Sequence, residues 1–268
     1  MTKVAVVQMN SSSSIKNNLC DVEIFLQQAN ENHVDLVVLP ENFAFMGRKE
    51  TDKLMVAEQI GEGEIQNTLG KLAKDHNIWI IAGTVPIRAH GNKVRASCLV
   101  FDNKGLCAAR YDKIHLFDVR VSQSESHQES MTTERGDELV VVDTPIGRVG
   151  LTVCYDLRFP ELYQKLLQKG AEVFSIPAAF TALTGVAHWE VLLRARAIET
   201  LSYVLAPNQG GHHDSGRQTY GHSMVIDPWG KILGCQQSDV GMVTAEIDLL
   251  GLRQLRQQFP CNNHHVLK

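Results

Sequence analysis

Apolar residues along this chain gather in short unbroken runs, separated by longer stretches in which they recur every three or four positions. Unbroken runs read as strands covered on both faces, and the periodic stretches read as amphipathic helices. VAVVQM (4–9) precedes a helical pattern over about 15–32, then comes DLVVLP (35–40). A second helical pattern over about 65–76 leads to IWIIAGTVP (78–86), and 95–101 and 107–113 then form an antiparallel pair across the turn DNKG. The order repeats with ELVVVD (138–143), the turn TPIG, VGLTVC (149–154), a helix over about 160–169 and EVFSIP (172–177). A helix in HWEVLLRARAIETLS, with Val191, Ala195 and Ile198 facing inward, is followed by YVLAPN and a loop rich in Gly and His. GHSMVID, WGKILG and GMVTAEID close the chain as a meander.

Two halves of one kind therefore follow each other, each a pair of βα units ending in antiparallel strands. The pattern predicts one α/β domain over 1–268, with two sheets stacked face to face and helices outside. Only the segment 117–137 breaks the rhythm, being polar, rich in Ser and Gln, and without period. Segments of that length inside a compact domain are functional lids or disordered.

Composition narrows the partners. A chain of 268 residues buries roughly 73% of its unfolded surface, so its core needs no disulfide or metal. With 44% hydrophobic and 21% charged residues, a net charge of −4 and no basic stripe, nucleic acid is not an expected partner. The apolar run near the start is too short for a signal peptide and no stretch approaches a membrane span, so a cytoplasmic protein with no membrane partner is expected. Cys20, Cys98, Cys107, Cys154, Cys235 and Cys261 form no CxxC pair, which predicts reduced thiols. The adjacent pairs His212–His213 and His264–His265, and the trio His115, His127 and His188, complete no metal-ligand spacing. Neither metal nor cofactor is expected.

Candidate chemistry centres on Cys154, at the end of the apolar run VGLTVC and ahead of a polar, turn-forming tail. Free cysteine is among the most buried residue types, so position alone reads as structural. A thiol of pKa about 8.5 is mostly protonated at neutral pH and needs a base to attack an amide, a role a buried carboxylate can fill. The resulting oxyanion needs a cation and backbone N–H donors, and the leaving amine needs a proton. Glu41 in LPENF, Lys113 in YDKIHLFD and Glu129 in SHQES supply these residue types. Taken singly, each also reads as an ordinary strand-end or loop residue.

LPENF, YDKIHLFD and GLTVCYDLRFPEL together resemble the signature segments of the nitrilase superfamily of carbon-nitrogen hydrolases, and the likeness runs from VAVVQM to AEIDL. The resemblance implies a four-layer α-β-β-α sandwich of the nitrilase type, a homodimer, and a small-molecule amide substrate. It implies Cys154 as nucleophile, Glu41 as general base and then acid, and Lys113 with the N–H of Tyr155 as oxyanion donors. Glu129 matches a second pocket glutamate that orients the lysine or the substrate. HWEVLLRARAIET and GRQTYGHSMVIDPWG resemble the branch of amidases that cut the side-chain amide of deaminated glutathione, releasing 2-oxoglutarate and cysteinylglycine.

A substrate anionic at both ends needs cations or donors, for which Arg217, His127, His222, Arg158 and Thr184 are candidates. Arg158 reads rather as an internal partner of Asp156 or Glu161. The loop VRVSQSESHQES lacks the proline-glycine that often follows HLFD in these amidases, which puts its lid conformation and substrate choice in question. Three alternatives stay open: an omega-amidase acting on 2-oxoglutaramate or another small dicarboxylate monoamide, a non-catalytic binding protein with a retained fold, and a papain-like hydrolase using His188.

Overall fold

The first half of the computed structural model runs β1 (Thr2–Gln8), α1 (Ile15–Glu31), β2 (Leu36–Leu39), α2 (Glu64–Asp75), β3 (Trp79–Arg88), β4 (Val94–Phe101) and β5 (Cys107–Asp112). A short hairpin of β6 (Asp118–Arg120) and β7 (Ser126–Gln128) follows. The second half runs β8 (Val141–Thr144), β9 (Gly147–Leu151), α3 (Pro160–Gln168), β10 (Val173–Ser175), α4 (Ala182–Thr200) and β11 (Tyr203–Ala206). After a small pair, β12 (Gly210–His212) and β13 (Gln218–Tyr220), come β14 (Ser223–Ile226), β15 (Ile232–Gln236), β16 (Gly241–Ile247) and α5 (Leu249–Gln258). The structure describes residues 1–123 and 125–266. Ser124 of the polar 117–137 segment, and the last two positions of the expected 1–268 span, lie outside the described residues.

Two six-stranded sheets result, in the orders β16-β1-β2-β3-β4-β5 and β15-β14-β11-β10-β9-β8. In each, the three strands joined through helices are parallel, and antiparallel strands flank them. The closing strand departs from the expected meander. β16 leaves β15 and pairs with β1, Val6 opposite Val243, because β1 would otherwise present an unpaired apolar edge.

The period-2 alternation of strand side chains explains the layering. Val4, Val6, Leu36, Val38 and Ile81 share one core with Val149, Leu151, Val173, Val204 and Val225 of the other sheet. Their neighbours Ala5, Val7, Val37, Leu39, Ile80 and Ala82 pack instead on Val22, Phe25 and Leu26 of α1 and Leu69 and Leu72 of α2. Both faces of the sheet are covered, so the central stretches of its strands, Val4–Val7, Leu36–Leu39 and Ile80–Ala82, are apolar on both sides. With α3 and α4 adding Leu162, Leu166, Trp189 and Leu193 on the second sheet, the molecule is an α-β-β-α sandwich.

The inward face of α4 differs from the expectation. Val191 and Ile198 are 67% and 49% exposed and Ala195 is only partly buried, while Trp189, Leu193, Arg196, Ala197 and Thr200 are buried. Two polar-tipped residues account for this. Trp189 donates its ring N–H to the His222 carbonyl at 2.9 Å. Arg196 donates from Nε and Nη2 to the Leu157 carbonyl at 3.0 and 2.7 Å, with its guanidinium over the Tyr163 ring. A charge so satisfied can be buried, which a count of apolar residues does not anticipate. The helix also starts at Ala182, before HWE, so Thr184 lies in its first turn and not in a loop.

Gly83 sits at an irregularity of β3 between Ala82 and Val85, where the Pro40 carbonyl passes so closely that an added Cβ would lie 1.8 Å from its oxygen. Gly83→Ala is expected to destabilise the fold by about 1–3 kcal/mol, since packed backbone must move aside. A urea unfolding midpoint equal to that of the unaltered chain would contradict this.

Candidate active site

Three chain segments bring the charged groups to one place, each by a local device. β2 ends at Leu39, and Pro40, lacking an N–H, prevents the ladder from continuing into Glu41. The next residue, Asn42, adopts the left-handed conformation with φ 58° and donates its N–H to Thr84 Oγ1 at 2.9 Å. Gln209 clamps the Glu41 carbonyl at 3.0 Å. Lys113 follows directly on β5 and is held through its N–H to the Ala96 carbonyl and its carbonyl to the Gly136 N–H. Glu129 opens a short 3₁₀ turn after the β6–β7 hairpin, and among the described residues of the polar segment expected to be lid or disorder, Phe117, Glu125, Ser126, His127, Glu129 and Thr133 line the site wall.

Cys154 stands three residues beyond the end of β9 rather than on it. It opens a 3₁₀ turn at φ 49°, a conformation costing a non-glycine residue on the order of 1–3 kcal/mol. Its N–H is tied to the Pro177 carbonyl at 2.9 Å. A strained turn between strand and helix is a place where α/β folds can present a reactive side chain.

The four side chains meet almost without solvent: Glu41 is 5% exposed, Lys113 2%, Glu129 7% and Cys154 7%. Lys113 Nζ donates to Glu41 Oε1 at 2.8 Å and to Glu129 Oε2 and Oε1 at 2.9 and 3.2 Å. Each carboxylate also accepts a backbone N–H. Glu41 Oε2 receives the Ala179 N–H at 2.9 Å, and Glu129 Oε2 receives the Phe117 N–H at 2.8 Å.

Burial raises the Glu41 carboxyl, but the Lys113 charge and hydrogen bond, with Cys154 and Arg217 adding to them, hold it below its usual value of 4.5. Burial alone would lower the Lys113 ammonium, and the Glu129 and Glu41 carboxylates instead keep it protonated well above the usual range. Burial pushes the Cys154 thiol up, the Glu41 charge pushes it further, and Lys113 opposes both only in part. The resting state is therefore a neutral thiol beside an ionised carboxylate and an ammonium. Such a set can move a proton off sulfur only as attack proceeds, and return it to a departing amine.

A cavity of about 650 Å³ opens from this cluster. Of the residues singled out in the sequence, Glu41, Lys113, Glu129, Cys154, His127 and Arg217 line it. Arg217 donates to the Ala179 carbonyl from Nη2, and its buried Nε has no hydrogen-bond partner among the described residues. His127 pairs with Glu125 at 3.0 Å.

The others lie off the wall. Thr184 pairs its hydroxyl with that of Thr181 at 2.8 Å, and the His222 ring stacks on Tyr220. The ring of Tyr155 packs edge-on against Phe117 and Phe159, while its backbone N–H, next to the sulfur-bearing residue, has no acceptor among the described hydrogen bonds. Arg158 pairs with neither Asp156 nor Glu161; its guanidinium lies over the Tyr155 and Phe180 rings and touches exposed His188 at 3.3 Å. His188 does not line the cavity, which removes the base that a papain-like arrangement requires.

Sequence reading passed over a second group on the wall: Arg48, Lys49 and Lys53, with Glu50 between them. Lys53 and Glu50 form an ion pair at 2.7 Å. The only available signal was the dense charge of GRKETDK in a stretch without helical or strand period.

Residues 3–257 match the family of carbon-nitrogen hydrolases. A deaminated glutathione amidase of Yersinia enterocolitica is 42% identical over 265 residues, covering 98% of this chain and 92% of that protein. Among solved structures, the NitFhit protein of Caenorhabditis elegans superimposes with a TM-score of 0.93 at 39% identity, covering 99% of this chain and 65% of that one. Nit3 of Saccharomyces cerevisiae, a member of branch 10 of the nitrilase superfamily, gives 0.86 at 31% identity, covering 97% and 94%. Sequence profile, full-length identity and superimposed fold agree: the chain belongs to the carbon-nitrogen hydrolase family.

Proposed function

We propose that the protein is an amidase that hydrolyses the side-chain amide of deaminated glutathione through a thioester on Cys154. The observation that carries this reading is the convergence of Cys154, Glu41, Lys113 and Glu129 on one cavity that Arg48, Lys49, Lys53 and Arg217 also line. Relatives bearing the name deaminated glutathione amidase, at 40–43% identity over nearly the whole chain, support the substrate. Cavity size supports it too. Deaminated glutathione has about twice the non-hydrogen atoms of 2-oxoglutaramate, and about 650 Å³ lies within the range of pockets that enclose ligands of the larger kind.

In this reading Glu41 takes the thiol proton as sulfur bonds to the amide carbon. The carbonyl electron pair moves onto oxygen, where the Lys113 ammonium and the Tyr155 N–H receive it. Protonated Glu41 then gives its proton to the amide nitrogen, the C–N bond breaks, and cysteinylglycine leaves. Water enters, Glu41 takes one of its protons, hydroxide bonds to the thioester carbon, and the C–S bond breaks as the proton returns to sulfur. Glu129 keeps the ammonium pointed at the oxyanion by holding it from the far side. Arg217 Nε binds a substrate carboxylate, and His127 and the rim lysines bind the other end.

A homodimer is part of the proposal, supported by Val191 and Ile198 on the outer face of α4 and by the exposed Trp229–Phe259 ring pair. Cytoplasmic residence is supported by six cysteines without a disulfide.

Incubation with deaminated glutathione is expected to yield an acyl adduct on Cys154 by mass spectrometry and a kcat/KM well above that for 2-oxoglutaramate. A preference for the smaller amide would move the assignment to omega-amidase, and no adduct or turnover with any short amide would leave a binding protein. Arg217→Gln is expected to raise KM about tenfold or more, since a charge-assisted hydrogen bond is lost, and an unchanged KM would contradict its role.

The pH dependence follows from the charges. Glu41 must be ionised to act as base and is held below 4.5, so kcat/KM should stay level from neutrality down through that value and fall only beneath it. The stability this depressed carboxyl contributes, full above its unfolded value, is lost over the same acid range. An inflection near pH 6 would contradict the assignment.

A further inference from the structure

Asp156 lies two residues past the cysteine and lines no part of the cavity, yet it is fully buried with every neighbouring group a donor. Its Oδ2 accepts the Val153 N–H at 2.8 Å and the Tyr111 hydroxyl at 2.6 Å. Its Oδ1 accepts the His115 N–H at 3.1 Å and stands 2.7 Å from His115 Nδ1, which fixes the hydrogen on that ring nitrogen. Burial and the adjacent Asp156 charge keep the Tyr111 hydroxyl protonated well above its usual range, so it donates.

The partners fall on two sheets. Tyr111 and His115 flank Lys113 by two residues on either side, at the end of β5, the edge strand of the first sheet. Val153 immediately precedes Cys154, beyond β9 of the second sheet. Glu41 has its own ties to the second half through the Ala179 N–H and Gln209. The Lys113 segment has no such tie elsewhere: among the described residues, the hydrogen bonds joining 111–115 to 151–158 all run through Asp156. The His115 ring stacked on Phe159 at 3.7 Å adds contact without fixing direction.

We infer that Asp156 is a positioning residue that sets the Cys154 sulfur against the Lys113 ammonium by binding the turn of one to the strand end of the other across the two sheets. It acts through those residues and does not touch substrate. A carboxylate is required because only it accepts from all four groups; an amide in its place would aim an N–H at a donor. The consequence falls on the chemical step, where a displacement of about 1 Å costs on the order of a hundredfold in rate.

The inference rests on the thioester reading, so its test needs one readout that depends on no substrate. In the full chain, Asp156→Asn and Tyr111→Phe are compared with the unaltered protein by iodoacetamide alkylation of Cys154, followed by peptide mass, and by kcat and KM for the amide. Circular dichroism at the assay temperature measures the folded fraction. Asp156→Asn should slow Cys154 alkylation about tenfold and lower kcat about a hundredfold with KM within about twofold. Tyr111→Phe, which removes one donor and no ring volume, should show the same pattern at about three- to tenfold, and it decides the matter if Asp156→Asn does not fold. Alkylation and kcat unchanged in folded variants, a loss residing in KM, or a loss that follows the unfolded fraction would each overturn the inference. In the unaltered chain, Cys154 alkylated no differently from exposed Cys235 would instead sink the nucleophile reading beneath it. Failure of every amide, with the alkylation difference intact, would sink the amidase reading and leave the positioning role of Asp156 standing.

Discussion

The buried ammonium of Lys113 is the charge on which the remaining arrangement depends. Its two carboxylate partners come from distant parts of the chain, Glu41 from the end of β2 and Glu129 from the turn after the β6–β7 hairpin. Breaking a buried pair by removing one partner costs about 3–5 kcal/mol, because the survivor is left without solvent or counter-charge. The hairpin, the β2 end and the β5 end are thus held to one another by electrostatics that only this geometry satisfies. The same charge keeps Glu41 ionised beside a thiol that burial keeps neutral. One interaction therefore serves both the fold and the poise of the site.

Much of the architecture was legible because strands covered on both faces read as nearly continuous apolar runs, and VAVVQM, LVVL and VFS declare themselves in that way. What was not legible depended on satisfied polar groups. The inner face of α4 turns on Arg196 and Trp189, whose burial follows from carbonyls of Leu157 and His222 that no local window contains. The β16 partner was hidden for a similar reason, since its pairing with β1 joins the extremes of the described chain.

At the site, Glu41, Lys113 and Cys154 were reached through the resemblance of their segments to a known family, and the geometry places them in contact. Arg48, Lys49 and Lys53 had no such signal. Their segment reaches the cavity through loop and 3₁₀ backbone, where neither period nor propensity speaks. Arg158 shows the opposite error: charge proximity in sequence suggested Asp156 as its partner, whereas Asp156 is fully engaged by Tyr111 and His115. The planar guanidinium finds aromatic faces instead.

The pairing of β1 with β16 has a temporal side. During synthesis, at about 5–20 residues per second, β1 emerges well before β16, and its ladder with Gly241–Ile247 cannot form until that later strand arrives. Contacts so far apart in sequence make folding slow, because the loop between them must be closed before they contribute. The nascent chain thus holds Glu41, Lys113 and Cys154 well before the sheet that supports Glu41 has its final edge. The edge of the sheet behind the thiol pocket is complete only once β16 has arrived.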